Sequence, residues 1–162
     1  MNIKKLAENK YKYFCERQGN DYISSIYALK SILKLIVDYR VKSVLELGIG
    51  IGSISDTILT FSKNNKNAIQ YVGTENNEFC LQELKKNVEY YSEIELYHSL
   101  SEIKTDYKFD LIIVDGSDDG LKSIEKFCKK NTLIFIEGFR GSQVDTIKNI
   151  FPNYIHVEII SK

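Results

Sequence analysis

A short apolar run that ends in three alternating glycines constrains this chain more than any other feature. In the segment VLELGIGIGSIS, residues 44–47 predict a buried parallel strand, and the glycines follow it directly. Ser53 and Asp56 have the spacing of a capping box, which predicts that a helix begins at residue 53. A strand, a glycine turn and a helix start together leave bare backbone and unpaired N–H groups, which is typical of a ligand-binding loop.

The spacing of these glycines excludes two common nucleotide-binding loops. The dinucleotide fingerprint G-x-G-x-x-G requires its third glycine at the position of Ser53. The phosphate-binding P-loop requires a Gly-Lys-Ser/Thr sequence, which does not follow here. The loop therefore predicts a ligand of another kind.

Acidic residues follow three later apolar runs, each at the point where a strand is predicted to end. Glu75 ends YVGTE (71–75), and Asp115 lies within FDLIIVDGSDDG (109–120). Glu137 lies within TLIFIEG (132–138). Because parallel strands bring their carboxyl ends to one edge of a sheet, we expect these carboxylates to share one crevice with the glycine loop.

The pattern of apolar residues predicts alternating helices and strands. The predicted helices are 3–16, 22–39, 53–63, 77–91, 118–129 and 142–151, and the predicted strands are 42–47, 69–74, 94–98, 109–114, 132–136 and 154–160. This alternation predicts a three-layer, doubly wound α/β fold with a mainly parallel sheet in the order 3-2-1-4-5 plus one C-terminal strand. We expect a single domain, 1–162, with an N-terminal helical cap (1–40) and a Rossmann-like core (41–162).

From about Val41 to Phe151, these ordered strand ends resemble the class I S-adenosylmethionine-dependent methyltransferases. The resemblance implies S-adenosylmethionine as the cofactor. It also implies a set of cofactor-binding residues, namely Glu46, Gly48, Gly50, Gly52, Glu75, His98 and Asp115. The family's complete sheet has seven strands, so the predicted fold is truncated relative to it.

Asp115 is the predicted catalytic residue, acting as a general base or facing the sulfonium of the cofactor. An Asp-Gly turn is the alternative reading of the same residue. Asp115 and Glu137 also match the metal-binding positions of the metal-dependent O-methyltransferase branch, which implies a Mg²⁺ site. That branch typically has asparagine after the second carboxylate, and Gly138 stands there in this chain.

Two further residues have open interpretations. His98 follows the third strand and either contacts the adenine edge or is an exposed loop histidine. Arg140 lies between glycines in GFRG and either binds an anionic substrate or is an ordinary surface arginine.

The composition narrows the possible partners and location. Lys plus Arg and Asp plus Glu number 22 each, which argues against a nucleic-acid partner held by phosphate neutralisation. No apolar run approaches the roughly 20 residues of a membrane span, so no membrane partner is expected. The three cysteines are widely separated, which favours a reduced, cytoplasmic protein. A homodimer is possible because a second subunit could complete the acceptor pocket.

The predicted activity is methyl transfer from S-adenosylmethionine to a small-molecule or sugar acceptor at an oxygen atom. One alternative is a non-catalytic module that binds the cofactor or a protein partner on the same scaffold. Another is aminopropyl transfer from the decarboxylated cofactor, for which Asp118 and Asp119 are the only extra acidic residues near the crevice.

Overall fold

The computed structural model describes residues 2–159, which form a parallel sheet between two layers of helix. The helices are α1 (Ile3–Cys15), α2 (Ile26–Asp38), α3 (Ser53–Asn64), α4 (Glu78–Asn87) and α5 (Gly141–Ile150). The strands are β1 (Ser43–Leu47), β2 (Gln70–Thr74), β3 (Ile94–Tyr97), β4 (Phe109–Val114) and β5 (Cys128–Ile136). Short 3₁₀ segments occur at Asn20–Tyr22, Tyr91–Glu93, Leu100–Glu102 and Asp119–Phe127.

The sheet order is β3-β2-β1-β4-β5, which confirms the predicted order 3-2-1-4-5 and the doubly wound α/β fold. The central strand β1 pairs in parallel with β2 on one side and with β4 on the other. In this register Glu46 lies between Gly73 and Ile113. The order of the strands reverses between β1 and β4, and a doubly wound sheet opens its ligand crevice at that point.

Alternate residues of each strand build two cores, one on each face of the sheet. Val44 of β1 packs with residues of α1, α2, α3 and α4, whereas Leu45 and Leu47 pack with α5 and the 3₁₀ segments. This period of two is the reason that the strand is apolar throughout, since both of its faces are covered. No helix in residues 2–159 is long and apolar enough to cross a bilayer.

Several predicted boundaries differ from the structure. Helix α2 begins at Ile26 rather than residue 22 because the Ser25 side chain accepts a hydrogen bond from the Ala28 N–H and caps it. Segment 118–129 is a 3₁₀ turn capped by Asp118, followed at once by β5, rather than an α-helix.

The predicted capping box is wrong. Helix α3 is preceded by Gly52 in the left-handed conformation, with no side-chain capping bond. The Ser53 hydroxyl instead accepts a hydrogen bond from the N–H of Ser24, at 3.3 Å. Asp56 pairs with Lys10 of α1 at 2.6 Å, so both residues hold the N-terminal helices to the core.

The predicted C-terminal strand is also wrong over the residues that the structure describes. Residues 155–159 have no assigned secondary structure, and residue 160, the predicted strand end, lies outside the described residues. Alternating apolar residues favour an extended backbone, but a strand forms only where a neighbouring strand supplies hydrogen bonds. The described fold brings no such neighbour to this segment.

Candidate functional site

Two loops cross in close contact where β1 and β4 end. A Cβ atom on Gly48 would lie 2.5 Å from the Gly116 Cα, and one on Gly116 would lie 2.8 Å from the Gly48 Cα. Gly48 also has a φ of 82°, which is unfavourable for any residue with a side chain. Both positions therefore require glycine, and their contact fixes the first glycine loop against the loop that carries Asp115.

Gly50 is the glycine that faces open space. No atom lies within 4 Å of the position that its Cβ would take. Its N–H donates to Glu75 Oε2 at 2.8 Å, and the N–H groups of Asn76 and Asn77 donate to Glu75 Oε1. The carboxylate of Glu75 thus joins the glycine loop to the turn after β2, and both border the opening at Gly50.

Gly52 has a different role, because a Cβ there would overlap Val88 at 2.4 Å and Leu84 at 2.8 Å. Close packing of α3 against α4 therefore requires this glycine, whatever it contributes to ligand binding. The loop between α1 and α2 covers the same region, since a Cβ on Gly19 would meet Phe79 and Ile51. The loop between the N-terminal helices thus packs against Ile51 of the glycine loop and Phe79 of α4.

Glu46 is fully buried in the central strand and has one hydrogen-bond partner among the described residues. The hydroxyl of Tyr71 donates to Glu46 Oε2, whereas Oε1 is buried without a partner. Burial raises the pKa of Glu46 well above its usual range, and the charges of Asp115 and Glu75 act in the same direction against the Tyr71 hydrogen bond. A cation or N–H donor that reaches Oε1 would give this oxygen a partner and would favour the ionised carboxylate over the protonated form.

Asp115 lies at the end of β4 with its side chain 10% exposed. Arg140 Nη2 donates to Asp115 Oδ1 at 3.1 Å and also to the Asp115 backbone oxygen, while Arg140 Nε donates to the Glu137 backbone oxygen at 2.8 Å. Burial and the nearby charge of Glu137 raise the pKa of Asp115 to about 7, and Arg140 opposes that shift. The carboxyl group can therefore take up or release a proton near neutral pH.

Neither a protein-family model nor a curated protein sequence matches this chain. Solved structures match it in fold. An O-methyltransferase from Bacillus cereus in complex with SAH has a TM-score of 0.64 at 14% identity, covering 91% of this chain and 77% of that one. A precorrin-6y C5,15-methyltransferase from Geobacter metallireducens has a TM-score of 0.62 at 14% identity, covering 83% and 74%.

An SAH-bound methyltransferase from Podospora anserina has a TM-score of 0.63 at 19% identity, covering 81% of this chain. The chain has the class I methyltransferase fold. It spans 61% of the Podospora structure, which is less than two thirds of that protein's length. At these identities the likeness establishes the fold, and the chemistry depends on the site residues.

On this methyltransferase fold, the predicted magnesium site is not supported. Residues 2–159 contain no group of three or more His, Cys, Asp or Glu side chains that could hold a metal ion. The Arg140 guanidinium already pairs with Asp115, one of the two predicted ligands. Mg²⁺ is commonly held by one or two carboxylates and several waters, so the guanidinium on Asp115, and not the number of carboxylates, is what disfavours a site here.

His98 and two of the N-terminal tyrosines lie at the surface of the methyltransferase fold. The His98 side chain is exposed, and its backbone N–H donates to Glu102 Oε2 at 3.1 Å. Tyr22 is 93% exposed and Tyr27 is 39% exposed, so neither tyrosine belongs to the core. Contact of His98 with an adenine ring stays a prediction.

Sequence reasoning missed Tyr71 and Gly116. The signal for Tyr71 is its position two residues before Gly73, which lies beside Glu46 in the register, so that Tyr71 is on the same face of the sheet as Glu46. The signal for Gly116 is a glycine two residues after the end of β4, where the sequence itself indicates only a turn. Both residues contact positions that are distant in the sequence, and spacing along the chain does not predict such contacts.

Proposed function

We propose that this chain binds S-adenosylmethionine and transfers its methyl group to an oxygen of a small-molecule or sugar acceptor. The observation that carries the proposal is the buried, unpartnered Glu46 Oε1, which lies on the central strand directly before the glycine loop. A buried carboxyl oxygen without a hydrogen-bond partner destabilises the fold, and a cationic ligand that supplies a donor offsets that cost.

The residues at the crevice fit the parts of this cofactor. Glu46 is suited to the ammonium group of its amino-acid portion, and the open space at Gly50 admits a ligand against bare backbone. Glu75 accepts three backbone hydrogen bonds and keeps lone-pair capacity for ribose hydroxyls, since a carboxylate offers about four acceptor sites. Asp115 adds negative charge at the neighbouring strand end.

When bound, S-adenosylmethionine supplies a methyl group that its sulfonium activates. The chain's own contribution is alignment and proton transfer, with Asp115 accepting the proton of the acceptor hydroxyl. A pKa of about 7 leaves roughly half of Asp115 ionised at neutral pH, so it can serve as a base without a metal. The zero net charge of the chain supports a small acceptor over a nucleic acid.

A non-catalytic binding module is the second candidate, and one observation favours it. The Arg140 guanidinium covers Asp115 through two hydrogen bonds and is anchored to the Glu137 backbone by a third. If that arrangement persists with the cofactor bound, Asp115 Oδ1 stays paired with the guanidinium instead of an acceptor hydroxyl, which favours a crevice that serves binding alone.

The test is a transfer assay with S-adenosylmethionine labelled in its methyl group and a panel of catechols, simple phenols, sugars and amines. We expect label in a phenol or sugar product, with SAH formed in equal amount and no loss of rate in EDTA. Activity that requires added Mg²⁺ would contradict the metal-free site. Cofactor binding without transfer to any acceptor would support the binding module instead.

A further inference from the structure

Tyr71 and Glu46 form a polar pair inside the apolar core on one face of the sheet. Glu46 on β1 is fully buried, and Tyr71 on β2 is 1% exposed. Gly73 lies beside Glu46 in the register of these strands, so Tyr71 and Glu46 are on the same face. The core cluster around Tyr71 consists of apolar side chains from the strands and from α1, α2, α3 and α4. The pair is thus removed from water.

The carboxyl group of Glu46 has a single hydrogen bond within residues 2–159. The Tyr71 hydroxyl donates to Oε2, and Oε1 is buried without a partner. A buried carboxyl group with one donor and no counter-ion holds its proton, because an unpaired ion in the core costs more than protonation. Burial and the neighbouring Glu46 raise the pKa of the Tyr71 hydroxyl, so Tyr71 stays neutral and acts as a donor.

The charges that act on Glu46 also favour its protonated form. They are the carboxylates of Glu75 after β2 and Asp115 after β4, and none of the described groups that shift Glu46 is a cation. On the helices that cover this face, three lysines pair with carboxylates, namely Lys10 with Asp56, Lys30 with Glu8 and Lys86 with Glu83. A positive charge beside Glu46 therefore has to come from a ligand.

We infer that Tyr71 is a positioning residue that holds Glu46 Oε2 and leaves Oε1 for the ammonium group of the cofactor, whose arrival expels the Glu46 proton to solvent. This inference rests on the proposed function, since it assigns the amino-acid portion of S-adenosylmethionine to that oxygen. A positive charge near a carboxyl group favours its ionised form. Because binding and ionisation favour each other, cofactor affinity should rise with pH until Glu46 is ionised without a ligand.

Calorimetric titration of the full chain in two buffers of different ionisation enthalpy measures the protons released per ligand bound. SAH is the ligand, because it has the ammonium group but lacks the sulfonium charge that would also act on Asp115. We expect the release to reach about 0.5–1 proton within the range of about pH 5 to 7. The matched ligand is 5′-methylthioadenosine, which has the adenosyl group and no ammonium, and it should bind without this release.

Two substitutions assign the proton and the role of Tyr71. Glu46→Gln should bind SAH without releasing a proton, because an amide does not ionise. Tyr71→Phe keeps the buried ring and removes the donor, so SAH affinity should fall by about threefold to 30-fold. The pH at which this affinity levels off should also move upward, because the Tyr71 hydrogen bond lowers the pKa of Glu46.

The affinity of Tyr71→Phe for 5′-methylthioadenosine should stay within about twofold of the native value, because that ligand makes no demand on Glu46. Tyr107→Phe is the control, since it removes a tyrosine hydroxyl that donates to Glu95 on β3, and it should bind both ligands as the native chain does. Urea unfolding establishes that the variants fold. The comparison of the two ligands uses the native chain and does not depend on the variants.

Binding of SAH without proton release would overturn the inference and leave the proposed methyl transfer in place. An equal release with 5′-methylthioadenosine, or in Glu46→Gln, would also overturn it, because the proton would then come from another group. Equal losses of affinity for the two ligands in Tyr71→Phe would show that Tyr71 only supports the fold. Absence of SAH binding would overturn both this inference and the proposed function.

Discussion

Replacing Asp115 with asparagine is expected to lower the rate of methyl transfer by about 10²–10⁴-fold, the usual contribution of a positioned general base. The amide keeps the shape of the side chain but cannot accept a proton. SAH binding, measured by calorimetry, should change far less than the rate. Asp119→Asn is the matched control, because Asp119 is an exposed aspartate four residues further along the chain.

The dependence of the methyl-transfer rate on pH tests the same role of Asp115. Since the base must be ionised, the rate should rise with pH through about 7 and then level off. Arg140→Gln removes the positive charge that lowers the pKa of Asp115, so the midpoint should move to higher pH. Glu137→Gln removes a negative charge that raises it, so the midpoint should move to lower pH.

The Asp115 carboxyl signal in a ¹³C nuclear magnetic resonance titration measures the same midpoint without turnover. Opposite displacements in the Arg140 and Glu137 variants are expected in both experiments. Displacements in the same direction, or a midpoint that neither substitution moves, would show that these two side chains do not set the protonation of Asp115. An equal loss of rate in Asp119→Asn would show that Asp115 is not the general base.

Replacing Glu46 with glutamine is expected to stabilise the fold near neutral pH and to weaken cofactor binding. The raised pKa of Glu46 means that the folded state holds its proton where the unfolded state has lost it. The favourable contribution of Glu46 to the free energy of unfolding is therefore present below pH 4.5, which is its pKa in the unfolded chain. It is lost as the pH rises through the higher pKa of the folded state. The glutamine amide never ionises, so the free energy of unfolding of the variant should lack this decline. At about pH 8 it should exceed the free energy of unfolding of the native protein by about 1–3 kcal/mol.

Urea unfolding at a series of pH values measures the effect, and the difference between the two proteins isolates Glu46 from Asp115. Glu83→Gln is the control, because Glu83 is also buried but its carboxylate pairs with Lys86 at 2.6 Å. Affinity for SAH should fall by about tenfold to 100-fold in Glu46→Gln, the usual loss for a hydrogen bond to a charged group. Parallel stability curves for native and variant proteins would contradict a buried, proton-linked Glu46.

The order of the sheet and the position of the crevice were predictable because their signals are local. Apolar runs end at Gly48, Glu75 and Asp115, and each ending marks the carboxyl end of a strand. The limits of α2 and of segment 118–129 were not predictable in detail, since single capping contacts of Ser25 and Asp118 decide them.

The site was less predictable than the fold because its decisive contacts cross between strands. The Tyr71–Glu46 hydrogen bond depends on register, and the position of Arg140 over Asp115 depends on how the chain turns after β5. The predicted strand at 154–160 was wrong for a different reason. Its alternation of apolar residues was identified correctly, but the pattern states only that a strand could form and not that a partner is present.

Isothermal titration calorimetry with S-adenosylmethionine and SAH tests the central claim most directly. The account predicts micromolar binding of both ligands, no binding of NAD, and loss of binding in Gly50→Arg and Glu75→Ala. Glu78→Ala, an exposed glutamate three residues beyond Glu75, should bind normally. If neither adenosyl ligand binds the native chain, or if both crevice variants bind as well as it does, the glycine loop is not a cofactor site and the proposed function is wrong.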